Sequence, residues 1–171
     1  NRHQAVERVY RVKERPRSMA LPLLLADTLQ ISEVAQPVPP IAWLLARNFF
    51  PGALTIVLHK SSSVPDIITA GGLTVAVRIP AHPVPIAIAD GLGMPIVGTS
   101  ANLSGRPSVL TPEEVYSQFG EKIDLVIDGG RCPGGMESTI VDVTGEKPII
   151  LRQGVVSQQE IRDICPGIVL L

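Results

Sequence analysis

Near the middle of the chain stands the stretch Pro95-Ile96-Val97-Gly98-Thr99-Ser100-Ala101-Asn102-Leu103-Ser104-Gly105. Its first four residues form a short apolar run opened by proline, which predicts a buried strand. The loop that follows is made of small residues, which let backbone approach a ligand, and of Ser and Asn, which offer uncharged donors. Open α/β sheets bind ligands at loops of this kind, at the carboxyl ends of their strands, but the same residues also dominate ordinary turns.

Predicted strands and helices alternate on both sides of this stretch. Before it, we predict a helix over 2–13 that Pro16 ends, a strand over 22–25, a helix over 39–49, a strand over 54–58, a polar loop over 59–72, a strand over 74–79 and a helix over 83–92. After it, we predict a helix from Pro112 to near Gly120, strands over 125–127, 139–143 and 149–152, a helix that starts at the capping box Ser157–Glu160, and a last strand over 168–171. The chain shows no repeat and no domain boundary. It therefore predicts one α/β domain over 1–171, with helices packed on a mixed sheet.

The composition is that of a globular protein, with 45% hydrophobic and 18% charged residues. No apolar stretch is long enough to span a bilayer, and no signal-peptide pattern opens the chain. The two cysteines, Cys132 and Cys165, show neither metal-ligand spacing nor a disulfide framework. We therefore expect a cytoplasmic protein without a membrane partner.

The charges are unevenly distributed along the chain. The net charge is −1, yet residues 1–17 hold six Arg or Lys residues against Glu7 and Glu14. Such a local basic cluster suits an anionic ligand, although a solvated helix face gives the same pattern.

Two further polar clusters could bind anions. Lys13-Glu14-Arg15-Pro16 places a point charge and a planar guanidinium one residue apart, where both could reach one carboxylate or phosphate. The segment 128–139 holds four glycines, which could form an anion-binding nest or only a tight flexible loop. That segment is neither a Walker A loop nor a dinucleotide fingerprint, because no Gly-Lys-Ser/Thr is present and a strand rather than a helix follows it.

Other catalytic arrangements find little support. The three histidines, His3, His59 and His82, have no ligand spacing and are expected at the surface. No Gly-x-Ser-x-Gly elbow is present. Cys132 lies in the glycine-rich segment, but no general base that would activate its thiol is evident.

Six short motifs occur in a specific order. They are Arg11-Val12-Lys13-Glu14-Arg15-Pro16, Phe50-Pro51-Gly52-Ala53-Leu54-Thr55, Val77-Arg78-Ile79-Pro80-Ala81-His82-Pro83, Thr99-Ser100-Ala101-Asn102-Leu103-Ser104-Gly105, Glu137-Ser138-Thr139-Ile140-Val141-Asp142 and Leu151-Arg152-Gln153-Gly154. In that order they resemble the YrdC-like family of threonylcarbamoyl-AMP synthases over essentially the whole chain. Each motif is weak alone, and the ordered set is specific.

The resemblance implies a twisted, open mixed sheet with a concave basic face. It implies ATP, L-threonine and bicarbonate as substrates, and threonylcarbamoyl-AMP and pyrophosphate as products. A separate tRNA threonylcarbamoyl transferase would then modify the adenosine next to the anticodon. Mg²⁺ would arrive with the phosphates of ATP, because no carboxylate cage is visible in the sequence.

The resemblance also divides nine side chains between the two substrates. The nucleotide side would comprise Lys13, Arg15, Ser100, Asn102, Thr74, Ser108 and Arg152. The first four of these would form the catalytic group. The threonine side would comprise Arg78, as partner of the α-carboxylate, and Ser138.

Two departures from the family pattern matter. The gap between Pro16 and Pro22 is longer than in many members, so the threonine side of the pocket could differ. Family members also open with a Pro-Thr-Asp-Thr-x-Tyr-Gly strand and loop, which would end just before this chain begins. We therefore expect the sheet to lack its first strand, with Val9 and Val97 uncovered beside the first helix.

Two other interpretations remain open. A carbamoyl-adenylating domain of the hydrogenase-maturation type shares the fold, but no zinc-finger-like Cys cluster flanks this sequence. A noncatalytic RNA-binding module, or a weak contact with tRNA, would use the basic face. The net charge of −1 and the lack of interleaved aromatic and basic residues count against tight RNA binding.

Overall fold

The computed structural model describes residues 2–132 and 136–171, which form helices and strands in alternation. The helices are α1 (Arg2–Lys13), α2 (Gln30–Val34), α3 (Pro40–Phe49), α4 (Asp66–Thr69), α5 (Pro83–Gly91), α6 (Pro112–Phe119) and α7 (Gln158–Ile164), with a 3₁₀ turn over Gly120–Lys122. The strands are β1 (Leu23–Leu24), β2 (Leu54–His59), β3 (Thr74–Arg78), β4 (Ile96–Val97), β5 (Thr139–Asp142), β6 (Ile149–Arg152) and β7 (Val169–Leu170).

The strands form a single mixed sheet in the order β4-β1-β3-β2-β5-β6-β7. Strand β2 lies at its centre, antiparallel to β3 and parallel to β5. Leu54, Thr55 and Ile56 are all buried, although successive side chains of a strand point to opposite faces. Both faces of the sheet are therefore covered at its centre, as the predicted α/β architecture requires.

Local sequence signals explain where several helices begin. Proline occupies the first turn of α3, α5 and α6, where its missing N–H costs no hydrogen bond. Helix α7 starts with the predicted capping box, in which Ser157 and Glu160 bond to each other's backbone. Helix α1 buries Val6 and Tyr10 in the core and ends at Lys13.

The predicted strand over 125–127 is wrong. These residues have no regular secondary structure and join no ladder, and Leu125 and Ile127 are more than half exposed. An apolar alternating run becomes a strand only where a neighbouring strand pairs with its backbone, and among the described residues none does so here.

The predicted polar loop over 59–72 is wrong in part, because it contains helix α4. Asp66–Thr69 buries Ile68 against the core, and the helix ends at Ala70 in the left-handed region with φ of 53°. Helix α2 was also missed. Both helices are too short for apolar periodicity to reveal them.

An apolar groove of about 540 Å³ runs between α1 and the edge of the sheet formed by β1 and β4. Val9 and Val97 both line this groove, and both are partly buried against the core. The outer edge of β4 borders this groove, because among the described strands β4 pairs with β1 alone. Within the two described ranges, no helix combines the length and apolar character needed to cross a membrane.

Candidate active site

The strand register brings the predicted threonine-side residues to one edge of the sheet. Leu54 lies opposite Thr139, so β2 and β5 start together at this edge. The antiparallel neighbours β3 and β6 end there, at Arg78 and Arg152. Two arginines from the flanking strands therefore lie beside the paired starts of the two middle strands.

Arg78 reaches toward the start of β2. Its Nε donates a hydrogen bond to the Gly52 carbonyl oxygen at 2.7 Å. Burial lowers the pKa of Arg78, and repulsion from the nearby Arg152 guanidinium lowers it further. A partly buried cation next to another cation provides a site for an anion.

Arg152 reaches toward the start of β5 from the other side. Its Nε and Nη2 donate to the Ser138 carbonyl oxygen at 3.2 and 2.9 Å, and its Nη1 forms an ion pair with Glu137. The buried Ser138 hydroxyl lies 2.9 Å from the hydroxyl of Thr55. This arrangement, the sheet-edge cluster, combines two cations, two hydroxyls and one carboxylate, which are the groups that a zwitterionic amino acid needs.

A second cluster, the loop cluster, joins the end of α1 to the loop after β4. The Lys13 ammonium donates to the carbonyl oxygens of Ser100 and Asn102, both at 2.5 Å. The Lys13 carbonyl oxygen in turn accepts from the Ser104 N–H at 2.9 Å. Residues more than 80 positions apart in the chain are thus held together, as the sequence motifs predict.

The Asn102 side chain shapes the same loop. Its Nδ2 donates to the carbonyl oxygens of Leu103 and Arg106, at 2.9 and 2.6 Å. Asn102 is buried, and its Oδ1 has no hydrogen-bond partner among the described residues. The Ser104 hydroxyl is also buried and has no hydrogen-bond partner among the described residues. Leaving such atoms unpaired costs about 1–3 kcal/mol each, so this loop carries buried polar groups that the described residues do not satisfy.

Arg15 completes the cationic character of this region. Its guanidinium donates to the carbonyl oxygens of Met19 and Ala20, at 3.2 and 2.8 Å. Burial lowers the pKa of Lys13 to about 8, and the charge of Arg15 contributes to that shift. The two cations are therefore close enough to act on a single anion.

Strand β1 relates the two clusters. The N–H of Gly98, which precedes the loop, donates to the carbonyl oxygen of Pro22, just before β1. The N–H of Leu25, just after β1, donates to the carbonyl oxygen of Arg78. Three residues of extended chain span about 10 Å. Two anion-binding regions therefore flank the same short strand.

Two further predicted nucleotide contacts are Thr74 and Ser108, and the register places Thr74 at the sheet edge where β4 leads into the loop cluster. Thr74 pairs with His59 at the opposite end of β3 from Arg78, about 13 Å along the strand. Ser108 is exposed in the loop before α6. Arg152, which the resemblance assigns to the nucleotide, contacts Ser138 and lies near Arg78, so it borders the predicted threonine-side residues.

The remaining candidates are exposed. Cys132 is a free, exposed thiol, and all three histidines are exposed as expected. The predicted nest over 128–139 includes residues 133–135, which lie outside the described residues. In the described part of that segment, Gly130 N–H bonds to the Asp128 carboxylate at 2.8 Å.

Sequence reasoning missed several residues that build the sheet-edge cluster. Thr55 and Glu137 were quoted only as parts of motifs, and their contacts depend on strand register. Gly154 is a third case, because a Cβ there would lie 2.2 Å from the Glu137 carbonyl oxygen. The only available signal was their adjacency to Ser138 and Arg152 within the motifs.

The described residues form an α/β domain with two clusters of cationic side chains, one at strand ends and one at a loop. The family model described as "Telomere recombination", which covers Sua5, YciO and YrdC proteins, matches residues 1–154. The chain therefore belongs to the Sua5/YciO/YrdC family.

Curated relatives support the same placement. The threonylcarbamoyl-AMP synthases of Pyrococcus abyssi and Bacillus subtilis are 41% and 37% identical to this chain, and each match covers 94% of it. The chain spans about half the length of these relatives, 47% and 46%.

Solved structures give the same answer for the fold. The structure of P. abyssi Sua5 complexed with L-threonine matches with a TM-score of 0.94 and 39% identity, over 98% of this chain and 49% of that one. Escherichia coli YciO matches with a TM-score of 0.82 and 29% identity, over 92% of this chain and 77% of that one. The predicted α/β fold with a mixed sheet is confirmed.

Proposed function

We propose that this domain forms threonylcarbamoyl-AMP and pyrophosphate from L-threonine, bicarbonate and ATP. The observation that carries the proposal is the pair of separate cationic clusters on either side of β1, one for each charged substrate. The names of the archaeal and bacterial relatives, and the L-threonine complex of the P. abyssi protein, support the assignment of threonine as one substrate.

The chemistry requires positioning and charge stabilisation rather than a protein nucleophile. The neutral amine of threonine combines with bicarbonate to give a carbamate and water. A carbamate oxygen then attacks the α-phosphorus of ATP, and the bond to the β-phosphate oxygen breaks to release pyrophosphate. Holding the two reactants together and stabilising the phosphoryl charge supply most of the rate enhancement in such reactions.

Threonine would bind at the sheet-edge cluster. The Nη atoms of Arg78 would pair with the α-carboxylate, because its Nε is already bonded to Gly52. The Ser138 hydroxyl, fixed by Thr55, would contact the same substrate. Arg152 would keep Ser138 and Glu137 in place while adding positive charge.

The phosphates and the carbamate would bind at the loop cluster. Arg15 would exchange its bonds to Met19 and Ala20 for charged oxygens, which accept stronger hydrogen bonds than carbonyl groups do. Ser100 and Asn102 would contribute uncharged contacts from the facing loop.

Mg²⁺ would be bound mainly by the phosphates. In residues 2–132 and 136–171, no three His, Cys, Asp or Glu side chains converge on a point that could hold a metal. The later transfer to a tRNA adenosine would belong to a separate transferase.

The decisive experiment measures ATP–pyrophosphate exchange by the full-length protein, with threonine and bicarbonate omitted in turn. We expect exchange only when both are present. Exchange that proceeds with carbamoyl phosphate but not with threonine would favour the carbamoyl-adenylating alternative. No exchange together with salt-sensitive binding of RNA would favour the noncatalytic module.

A further inference from the structure

Lys13 occupies an unusual position for a phosphate-binding lysine. It is buried, with 5% of its surface exposed, although it ends an otherwise surface helix. Its ammonium lies 2.5 Å from two carbonyl oxygens, those of Ser100 and Asn102. A lysine ammonium has three N–H donors, so these two bonds leave only one for a ligand.

The two accepting carbonyls belong to the residues on either side of Ala101, at the tip of the loop after β4. By bonding to both carbonyl oxygens, the Lys13 ammonium ties two residues of this loop to the end of α1. The loop is also held by the Lys13 carbonyl oxygen through Ser104 and by the Gln118 side chain, which accepts from Leu103 N–H at 2.8 Å. Lys13 thus contributes both its side chain and its backbone to the shape of this loop.

Arg15 differs from Lys13 in every one of these respects. In the part of the chain that the structure describes, its guanidinium bonds to carbonyls of the turn just after it, Met19 and Ala20, and not to the loop. Its planar fork also suits phosphate or carboxylate oxygens better than a single ammonium does.

We infer that Lys13 is a positioning residue, which holds the loop of Ser100 and Asn102 in its binding shape through their carbonyl oxygens, while Arg15 makes the charged contact with the bound anion. The ammonium remains on the two carbonyls when the anion binds. The catalytic part of this inference rests on the proposed function; the structural part concerns the protein without ligand.

A double-mutant cycle separates positioning from direct contact. Lys13→Met keeps the length of the side chain and removes its charge and donors. If Lys13 acts through the loop, Lys13→Met and Asn102→Ala should each lower kcat/KM for threonine-dependent exchange by about 100-fold or more. The kcat/KM of the double variant should then lie no more than about twofold below that of the less active single variant, because both changes remove the same arrangement.

The matched cycle pairs Arg15→Ala with Asn102→Ala. Their effects should multiply to within about twofold, because a direct charged contact acts independently of the loop. If the effects of Lys13→Met and Asn102→Ala on kcat/KM also multiplied, the inference would be wrong, and Lys13 would be a direct phosphate ligand.

Two measurements do not depend on the reaction. Hydrogen exchange at residues 99–106 of the ligand-free protein should accelerate in Lys13→Met and stay unchanged in Arg15→Ala. Should Lys13→Met not fold, nitrogen NMR of the unmodified protein decides, with pyrophosphate as the probe. The Lys13 ammonium signal should keep its shift at saturating pyrophosphate, whereas the Arg15 guanidinium signal should move.

A large shift of the Lys13 signal, or unchanged loop exchange in Lys13→Met, contradicts the inference. If these results support positioning but no exchange activity is found with threonine, the proposed function fails and the structural role of Lys13 stands.

Discussion

Arg78 and Arg152 approach each other from strands that are not neighbours. Arg78 ends β3 and Arg152 ends β6, and between these strands lie β2 and β5. Each arginine bonds to the start of the middle strand next to it, Arg78 to Gly52 and Arg152 to Ser138. Glu137 pairs with Arg152, and no carboxylate among the described residues pairs with Arg78. The Arg78 side of the pair therefore lacks an anion that threonine could supply.

Replacing Arg78 with alanine should weaken threonine binding and leave the fold intact. Losing one partner of a partly buried charge pair costs about 2 kcal/mol or more, which corresponds to about 30-fold in affinity. Titration calorimetry with threonine measures this directly. Arg47→Ala removes an exposed arginine of α3 and serves as the control, which should bind like the parent protein. Unchanged affinity in Arg78→Ala would refute the assigned role.

Arg15→Ala should chiefly slow the adenylation step. Removing one charged contact with the developing phosphoryl charge typically lowers the rate by about two to three orders of magnitude. Rapid-quench measurement of pyrophosphate release at saturating threonine would show the loss in the rate constant, while calorimetry should show threonine affinity close to that of the parent. A variant with normal release and weakened threonine binding would place Arg15 on the wrong substrate.

Sequence patterns predicted most of the elements because long apolar or proline-capped segments carry their own signals. They failed where structure depends on distant partners. Residues 125–127 have the composition of a strand, yet their apolar side chains stay exposed because nothing pairs with them. The short helix α4 was missed because four residues are too few to show a helical period.

The candidate site shows the same division. The motifs gave Lys13, Ser100 and Asn102 as a group, and the structure brings them into contact. They could not show that Lys13 meets carbonyl oxygens, because backbone acceptors are present at every position. Nor could they show that Arg152 lies near Arg78, since that depends on the order of four strands.

The stability of the protein should depend on pH through Lys13. Burial, with help from Arg15, lowers its pKa to about 8 in the folded protein from 10.5 in the unfolded chain. Below about 8 both states hold the proton; between about 8 and about 10.5 only the unfolded chain does. The free energy of unfolding should therefore rise with pH in that window.

Urea denaturation at several pH values from about 7 to about 10 measures this contribution. Lys13→Met should lack the rise, and Lys147→Met, which removes an exposed lysine, should keep it. Glu14 lies next to Lys13 in the chain, but its carboxylate is directed to Lys122, 3.6 Å away. An identical pH profile for parent and Lys13→Met would show that this ammonium is not buried in solution.

The 171-residue chain should self-associate. It exposes Leu125 and Ile127 together with the groove beside the free edge of β4, and exposed apolar edges of this kind invite pairing between molecules. Light scattering at about 10–100 μM should detect oligomers.

The double variant Leu125→Lys with Ile127→Lys should reduce this association. Leu73→Lys, at an equally exposed apolar position elsewhere, should not. If the chain were monomeric and released pyrophosphate fully in the presence of threonine, neither Leu125 and Ile127 nor the groove beside β4 would need to be covered, and the prediction would be wrong.

Gly154→Ala should destabilise the protein and disturb the threonine side of the site together. Gly154 follows β6 and crosses so close to the start of β5 that a Cβ would lie 2.2 Å from the Glu137 carbonyl oxygen and 2.6 Å from the Thr139 nitrogen. These are backbone atoms, so relief requires the strand starts to separate. Overpacking of this kind costs about 1–3 kcal/mol. Because Ser138 lies between those two residues, its hydroxyl should move away from Thr55, and threonine affinity should fall in the same variant.

Gly91→Ala is the matched control, because a Cβ there meets nothing within 4 Å, and its unfolding midpoint should equal or exceed that of the parent. Denaturant unfolding and threonine calorimetry on both variants test the coupling. If Gly154→Ala lost stability but bound threonine normally, the close crossing would be structural only, and Ser138 would not belong to the threonine pocket.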